Sequence, residues 1–299
     1  MDGNINDASL FNTALNNTDI LTIFNGGVPN DISALSPLSW WRAEQVTFDG
    51  TNWTLIDQGS GGNNGLSSSM PLTARTSDVP LFDNKSFTYD GNLDYVDCGT
   101  ITALNGGVSV FSTSLWFKYS GTLSTSDNII LSGGSTSSDD FYLQPTSATN
   151  IRYGHSSSFT DTTVSTMSIN TWYNLILVHN GAGFSLYLNG ILQGSSTGKP
   201  SPANNQGTNF NIGRYNISSA FNFLGNMDEV AVWNTDQSAN ASTIYNLGTP
   251  NDISAMSGLV SYWRMGDNDT YPTITDNVGS NNGTMTFMSA ANFVTDVPT

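Results

Sequence analysis

Only two glutamates, Glu44 and Glu229, stand among the 24 acidic residues of this 299-residue chain, so nearly all of its negative charge is aspartate. Hydrolysis by a pair of carboxylates needs an acid and a nucleophile or base held at a fixed separation. Glu229 directly follows Asp228, and successive side chains of a strand point to opposite faces, so these two predict no such pair. Asp139-Asp140 has the same defect and reads as a loop. His155 and His179 are the only histidines, and neither a Gly-x-Ser-x-Gly elbow nor a His-Glu-x-x-His zinc helix accompanies them. His179 ends a strand candidate beside Asn180-Gly181 and is expected to be a hydrogen-bonded structural residue. Cys98 is the one cysteine, which excludes an internal disulfide and a thiolate metal cluster. The chemistry on offer is that of a protein that binds or builds, not of an enzyme.

The charge balance narrows the partners. Three lysines (Lys85, Lys118, Lys199) and five arginines against 24 acidic residues leave a net charge of −16, with no basic stripe for a nucleic acid or an anionic lipid surface. Nucleic acid and membrane partners are therefore not expected. Aspartate sits naturally in turns, which argues against a helix-rich architecture. The opening MDGNINDASLF lacks the charged and apolar regions of a signal peptide, and no stretch is long and apolar enough to cross a bilayer. Release by lysis, or export as part of a larger assembly, is the expectation.

The elements that must position any site are short strands separated by turn residues, the pattern of a sandwich. In Ser114 to Tyr119, Leu115 and Phe117 fall on one face and Trp116 and Lys118 on the other. Asn189-Gly190 supplies the positive φ angles of a two-residue hairpin. Two segments read as helices, ALNNTDILTIFNGG and DQSANASTIYNLGT, each following Asn-Thr and each ending near glycine.

A repeat frames the chain. Pro-Asn-Asp-Ile-Ser begins at Pro29 and again at Pro250, 221 residues on. The likeness extends upstream, GNINDASLFNT at Gly3 against GNMDEVAVWNT at Gly225, and downstream, IDQGSGGNNG at Ile56 against ITDNVGSNNG at Ile274. The simplest reading is one full period with the end of a preceding unit at its front (1–36), a central sandwich (37–246) and the start of a following unit at its back (247–299). Each arm then needs a partner for its strand edges, either the other arm or a neighbouring chain.

TWYNLILVHNGAGFSLYLNGILQGS, FTYDGNLDYVDCG and LGNMDEVAVWNT together resemble the laminin G-like, concanavalin A-like jelly rolls over roughly residues 37–246. The resemblance implies an all-β, antiparallel two-sheet sandwich with short capping helices and strand-bearing arms. It also implies a calcium ion at the sandwich rim, with Asp90, Asp94 and Asp228 at the matching positions and Asp57 with Asn63 or Asn64 in a nearby glycine loop. Lectins of this fold stack an exposed aromatic ring on a sugar, and Phe159, Tyr153 and Tyr215 are the candidates for that role. The Pro-Asn-Asp-Ile-Ser…Trp-Arg-Met-Gly-Asp segments resemble those of marine bacteriophage virion proteins. That implies a virion or extracellular location, with other copies of the chain, other virion proteins or surface glycans as partners. The alternative is an extracellular adhesin or a head-to-tail filament subunit.

Overall fold

The computed structural model describes residues 5–24, 29–68, 70–74, 85–136, 141–155, 158–197, 205–216, 218, 220–267 and 269–298. The chain divides into two compact units, Met1–Phe82 and Asp83–Thr299.

The first unit is a four-stranded antiparallel sheet in the order β1 (Asp7–Leu10), β2 (Ser39–Phe48), β3 (Trp53–Asp57), β4 (Gly65–Leu66), with helix α1 (Asn17–Phe24) in the β1–β2 connection. Among its described residues, the buried apolar side chains are Ile32, Trp40 and Trp53.

The second unit is the sandwich, all of its strand pairs antiparallel. One sheet runs β11 (Ser158–Thr163), β10 (Asn150–His155), β9 (Phe141–Ser147), β8 (Leu131–Gly133), β15 (Asn211–Ile212), β6 (Tyr95–Asp97), β19 (Gly283–Thr286), β18 (Thr273–Ile274). The other runs β14 (Ile191–Thr197), β13 (Gly183–Leu188), β12 (Tyr173–Asn180), β7 (Val110–Tyr119), β16 (Leu224–Trp233), β5 (Ser86–Asp90), β20 (Phe293–Val294), with β17 (Leu259–Trp263) also on β16. Alternation decides which side chains meet between the sheets: Leu115 and Phe117 of β7 and Leu175 and Leu177 of β12 are fully buried in one core with Phe141, Leu143, Ile151 and Tyr153. Trp116 faces the other way and stacks on Tyr245 of helix α2 (Ala241–Tyr245), over a second cluster of Ile176, Val178, Trp233, Ile244 and Tyr262. The turn at Asn189-Gly190 closes β13 on β14 with φ of 51° and 72°.

The fold boundaries differ from those read off the repeat. Residues 247–299 are not an arm: β17, β19 and β20 pair with β16, β6 and β5, so this segment completes both sheets of the sandwich. The reason is burial, since Trp263, Met265 and Ile274 are fully enclosed and Met285 nearly so. Residues 39–66, placed by the repeat in the central sandwich, instead pair with β1 in the first unit.

Candidate functional site

The expected calcium ligands are divided between the two units, Asp57 and Asn63 in the first and Asp90, Asp94 and Asp228 in the second. In the first unit, Asp57 is already the hub of a loop. Its Oδ1 accepts the N–H of Trp40 at 2.8 Å and of Gly59 at 2.8 Å, and its Oδ2 accepts the N–H of Asn63 at 2.7 Å. Burial opposes ionisation here, but the hydrogen bonds from Trp40, Asn63, Gly59 and Ser39 outweigh it and bring this carboxyl down to about 2. Asn63 is tied by its Nδ2 to Ser39 Oγ at 2.9 Å. Asp90 and Asp94 lie side by side at the tip after β5, where the Asp90 N–H reaches Asp94 Oδ2 at 3.2 Å and Asn292 donates to the same oxygen at 3.1 Å. Burial first, and then the charge of Asp90, raise the Asp94 carboxyl. Asp228 is fully buried and accepts the Glu229 N–H at 2.8 Å. Among the described residues no three carboxylate, imidazole or thiol groups converge as a metal site, whereas calcium takes six to eight oxygens. Asp90, Asp94 and Asp228 therefore form no three-carboxylate cluster within the second unit.

Asp228 and Glu229 do not form a catalytic pair. A bulge interrupts the β16–β7 register between Asp228 and Ala231, with Glu229 at φ 48°. Asp228 acts electrostatically on Tyr89 of the main core. Glu229 turns to the other side, where its carboxylate accepts the Tyr262 hydroxyl and Arg264 Nε at 3.2 Å. Both acids are consumed in structure. His179 is likewise structural: its Nδ1 lies 2.8 Å from the Ser109 carbonyl and its ring stacks on Phe111. Asp139-Asp140 lies outside the described residues.

The side chains that do converge lie on the outer face of β9, β10 and β11. The period of two sends Phe141, Leu143, Ile151 and Tyr153 into the core, which leaves Tyr142 and Gln144, Arg152 and Gly154, and Phe159 and Asp161 on the opposite face. The register lines them up in two rows, Gln144–Arg152–Asp161 and Tyr142–Gly154–Phe159. Gly154 is required: a Cβ there would stand 1.9 Å from the Tyr142 ring, so the glycine is what lets that ring lie across the sheet. Two loops add walls, one with Thr125 and Ile129, the other with Tyr215 and Phe221. Tyr215 meets Tyr142 edge-to-face at 5.2 Å and Phe221 at 5.8 Å.

The result is an open cleft of about 240 Å³. Its one cation, Arg152, lies 3.7 Å over the Phe159 ring and is held by Asp161 through two bonds of 2.8 and 3.0 Å. Its hydrogen bond to the Asp161 carboxylate is the main reason the Arg152 guanidinium holds its proton more tightly than usual. Gln144 is anchored by its Nε2 to the Asp127 carbonyl at 2.7 Å. Aromatic faces beside fixed amide, guanidinium and carboxylate groups can stack on one side of a sugar ring and hydrogen-bond its hydroxyls.

Of the aromatic candidates named from sequence, Phe159 and Tyr215 line this cleft, while Tyr153 is buried in the core beneath it. Tyr142, Gln144, Arg152 and Phe221 were not singled out. The alternation in FYLQP, IRYGH and SFTDT carries the first three; Phe221 sits in a loop with no such pattern.

A family model described as the Concanavalin A-like lectin/glucanases superfamily matches residues 90–241. Among solved structures, a candidate carbohydrate-binding protein of Bacteroides ovatus is 19% identical with a TM-score of 0.55, over 83% of this chain and 69% of that one. A heptameric SAP-like pentraxin of Limulus polyphemus is 14% identical with a TM-score of 0.44, over 69% and 97% of the two chains. The CBM40 of the Ruminococcus gnavus IT-sialidase, solved with α2,3-sialyllactose, is 13% identical with a TM-score of 0.42, over 54% and 96%. No curated protein matches the chain.

Proposed function

This chain belongs to the Concanavalin A-like lectin/glucanases superfamily, and from that membership we propose that it is a non-catalytic carbohydrate-recognition module that holds a sugar residue in the cleft over β9–β11. The observation that carries this reading is the double row on one face, aromatic Tyr142 and Phe159 beside polar Gln144, Arg152 and Asp161, walled by Tyr215 and Phe221. The absence of chemistry rests on the same place. The carboxylate in the polar row beside the cleft, Asp161, is held by Arg152 through two hydrogen bonds, so it is not free to protonate a leaving group. Because the guanidinium charge is compensated and the chain carries −16 overall, the sugar class is neutral rather than acidic. That the solved Bacteroides ovatus relative is a candidate carbohydrate-binding protein supports the reading by likeness of fold.

The test is a glycan array probed with the full chain and with Phe159→Ala. We expect retention of at least one neutral glycan, weakened about tenfold by loss of the ring. A blank array from folded protein, or equal retention by the variant, overturns the proposal. A virion or adhesin setting, read from the phage-like Pro-Asn-Asp-Ile-Ser segments, would make that glycan one displayed on a cell surface. Detection of the protein in purified particles tests the setting separately.

A further inference from the structure

The two units share more than sequence. In the sandwich, Val230, Ala231 and Val232 of β16 pair with Trp263, Tyr262 and Ser261 of β17. In the first unit, Ala8, Ser9 and Leu10 of β1 pair with Trp41, Trp40 and Ser39 of β2, the same partners 222 residues earlier. The ion pair Arg264–Glu229 has its counterpart in Arg42–Asp7, again 222 residues back. The loop built on Asp57 recurs on Asp276, which accepts the N–H groups of Tyr262, Gly279 and Asn281. Asn281 Nδ2 reaches Ser261 Oγ at 2.8 Å as Asn63 Nδ2 reaches Ser39 Oγ, and Trp263 Nε1 reaches the Asn281 carbonyl as Trp41 Nε1 reaches that of Asn63. The first unit is thus a second copy of the closing half of the sandwich, the part that begins at β16.

What differs is what covers it. In the sandwich, β16 lies between strands: its last residues, Ala231, Val232 and Trp233, pair with Ser114, Thr113 and Ser112 of β7 on the side away from β17. Among the described residues, β1 pairs with β2 alone, so the corresponding edge of Ser9 and Leu10 carries no strand. The side chains follow suit. Met227, Val232 and Ala241 are at most 3% exposed, whereas their counterparts Ile5, Leu10 and Ile20 are 64%, 52% and 53% exposed. Tyr245 stacks on Trp116 of β7, whereas its counterpart Phe24 is exposed.

We infer that β1 and α1 form a docking surface for the opening half of another sandwich of this same fold, joined ahead of the first unit, with a strand in the role of β7 adding to the β1 edge. The occupant is specified by the internal template: the strand must present small hydroxyl residues opposite Ser9 and Leu10, as Ser114 and Thr113 do, and an aromatic ring for Phe24, as Trp116 does for Tyr245. A generic apolar partner would satisfy the exposed side chains but not the register of the edge.

The test extends the full chain at its front with a second copy of its own residues 85–224, joined to Gly3 as Leu224 is joined to Gly225. Hydrogen exchange followed by mass spectrometry is read on the β1 and α1 segments of the extended and unextended chains. The expected result is a slowing of exchange of at least about a hundredfold at Asp7–Leu10 in the extended chain. It is accompanied by loss of binding of an apolar dye. A companion variant, Leu10→Asp with Phe24→Asp, is expected to leave the melting temperature of the unextended chain unchanged and to abolish the slowing in the extended one. An added segment that stays unfolded, or that folds while β1 exchanges as before, overturns the inference. Concentration-dependent protection of β1 in the unextended chain, with a doubled mass, also overturns it, by making a second copy the occupant.

Discussion

The strand pairs β1–β2 and β16–β17 have the same register, a corresponding ion pair and the same aspartate-centred loop, yet Val232 of β16 is buried and its counterpart Leu10 of β1 is exposed. The comparison separates two kinds of instruction. Hydrogen-bond geometry between neighbouring strands is specified locally and survives in either setting. Burial is specified by whatever strand lies on the far edge, and the two copies differ there.

The largest effect should come from putting a charge at equivalent positions. Val232→Asp forces a carboxylate into the main core and is expected to unfold the sandwich, whereas Leu10→Asp should change stability by no more than about 0.5 kcal/mol. Chemical denaturation followed by tryptophan fluorescence distinguishes the two, and equal destabilisation would mean that the face at Leu10 is already covered. Next in size is the ion pair. Glu229→Gln removes one of the two buried carboxylates that pair with Arg264, leaving Asp267, and is expected to cost about 1.5–3 kcal/mol, while Asp7→Asn, at a partly exposed pair 3.8 Å apart, should cost less than about 1 kcal/mol. The loop hubs give a smaller contrast: Asp276→Ala strips hydrogen bonds from at least three backbone N–H groups and is expected to cost about 3 kcal/mol, with the more exposed Asp57→Ala below it.

The smallest effect is one of pH. The Asp57 carboxyl is depressed relative to an unfolded chain, so its contribution to stability is fully present above about 4 and is lost as pH falls through about 2. Amide shifts of Trp40 and Asn63, which donate to that carboxylate, should therefore titrate near pH 2. A midpoint near 4 would mean that those hydrogen bonds do not persist in solution.

Much of the scaffold was legible because its signals are short-range. Asn189-Gly190 marks a hairpin by its own conformational needs, and the alternation of Leu115, Trp116, Phe117 and Lys118 gives the two faces of β7. The repeat was legible too, but not where the fold begins. The repeat reading begins the central unit at residue 37 and ends it at 246, whereas the folded unit begins after Phe82 and takes in β17, β19 and β20, which find their burial in the sandwich that precedes them in sequence. The site was the least legible part. Asp57 and Asn63 read as ligands because an acidic residue in a glycine loop suits a cation as well as it suits a cluster of N–H donors, and only the partners decide. The cleft depends on three strands in register, and on a glycine whose importance lies in the Tyr142 ring above it. No spacing along the chain reveals that neighbour.

The loop that recurs at Asp57 and Asp276 bridges six residues to Asn63 in one copy and five to Asn281 in the other. In both, a glycine lies where a Cβ would come within 2.6 Å of a backbone carbonyl oxygen, Gly61 against Leu38 just before β2 and Gly279 against Val260 of β17. It thus tolerates a change of length and a change of surroundings while keeping each donor on the same acceptor. A connector with those properties is portable: grafted between two antiparallel strands of an unrelated sheet, Asp, Gly and Asn-Asn at these spacings should carry their own wiring with them.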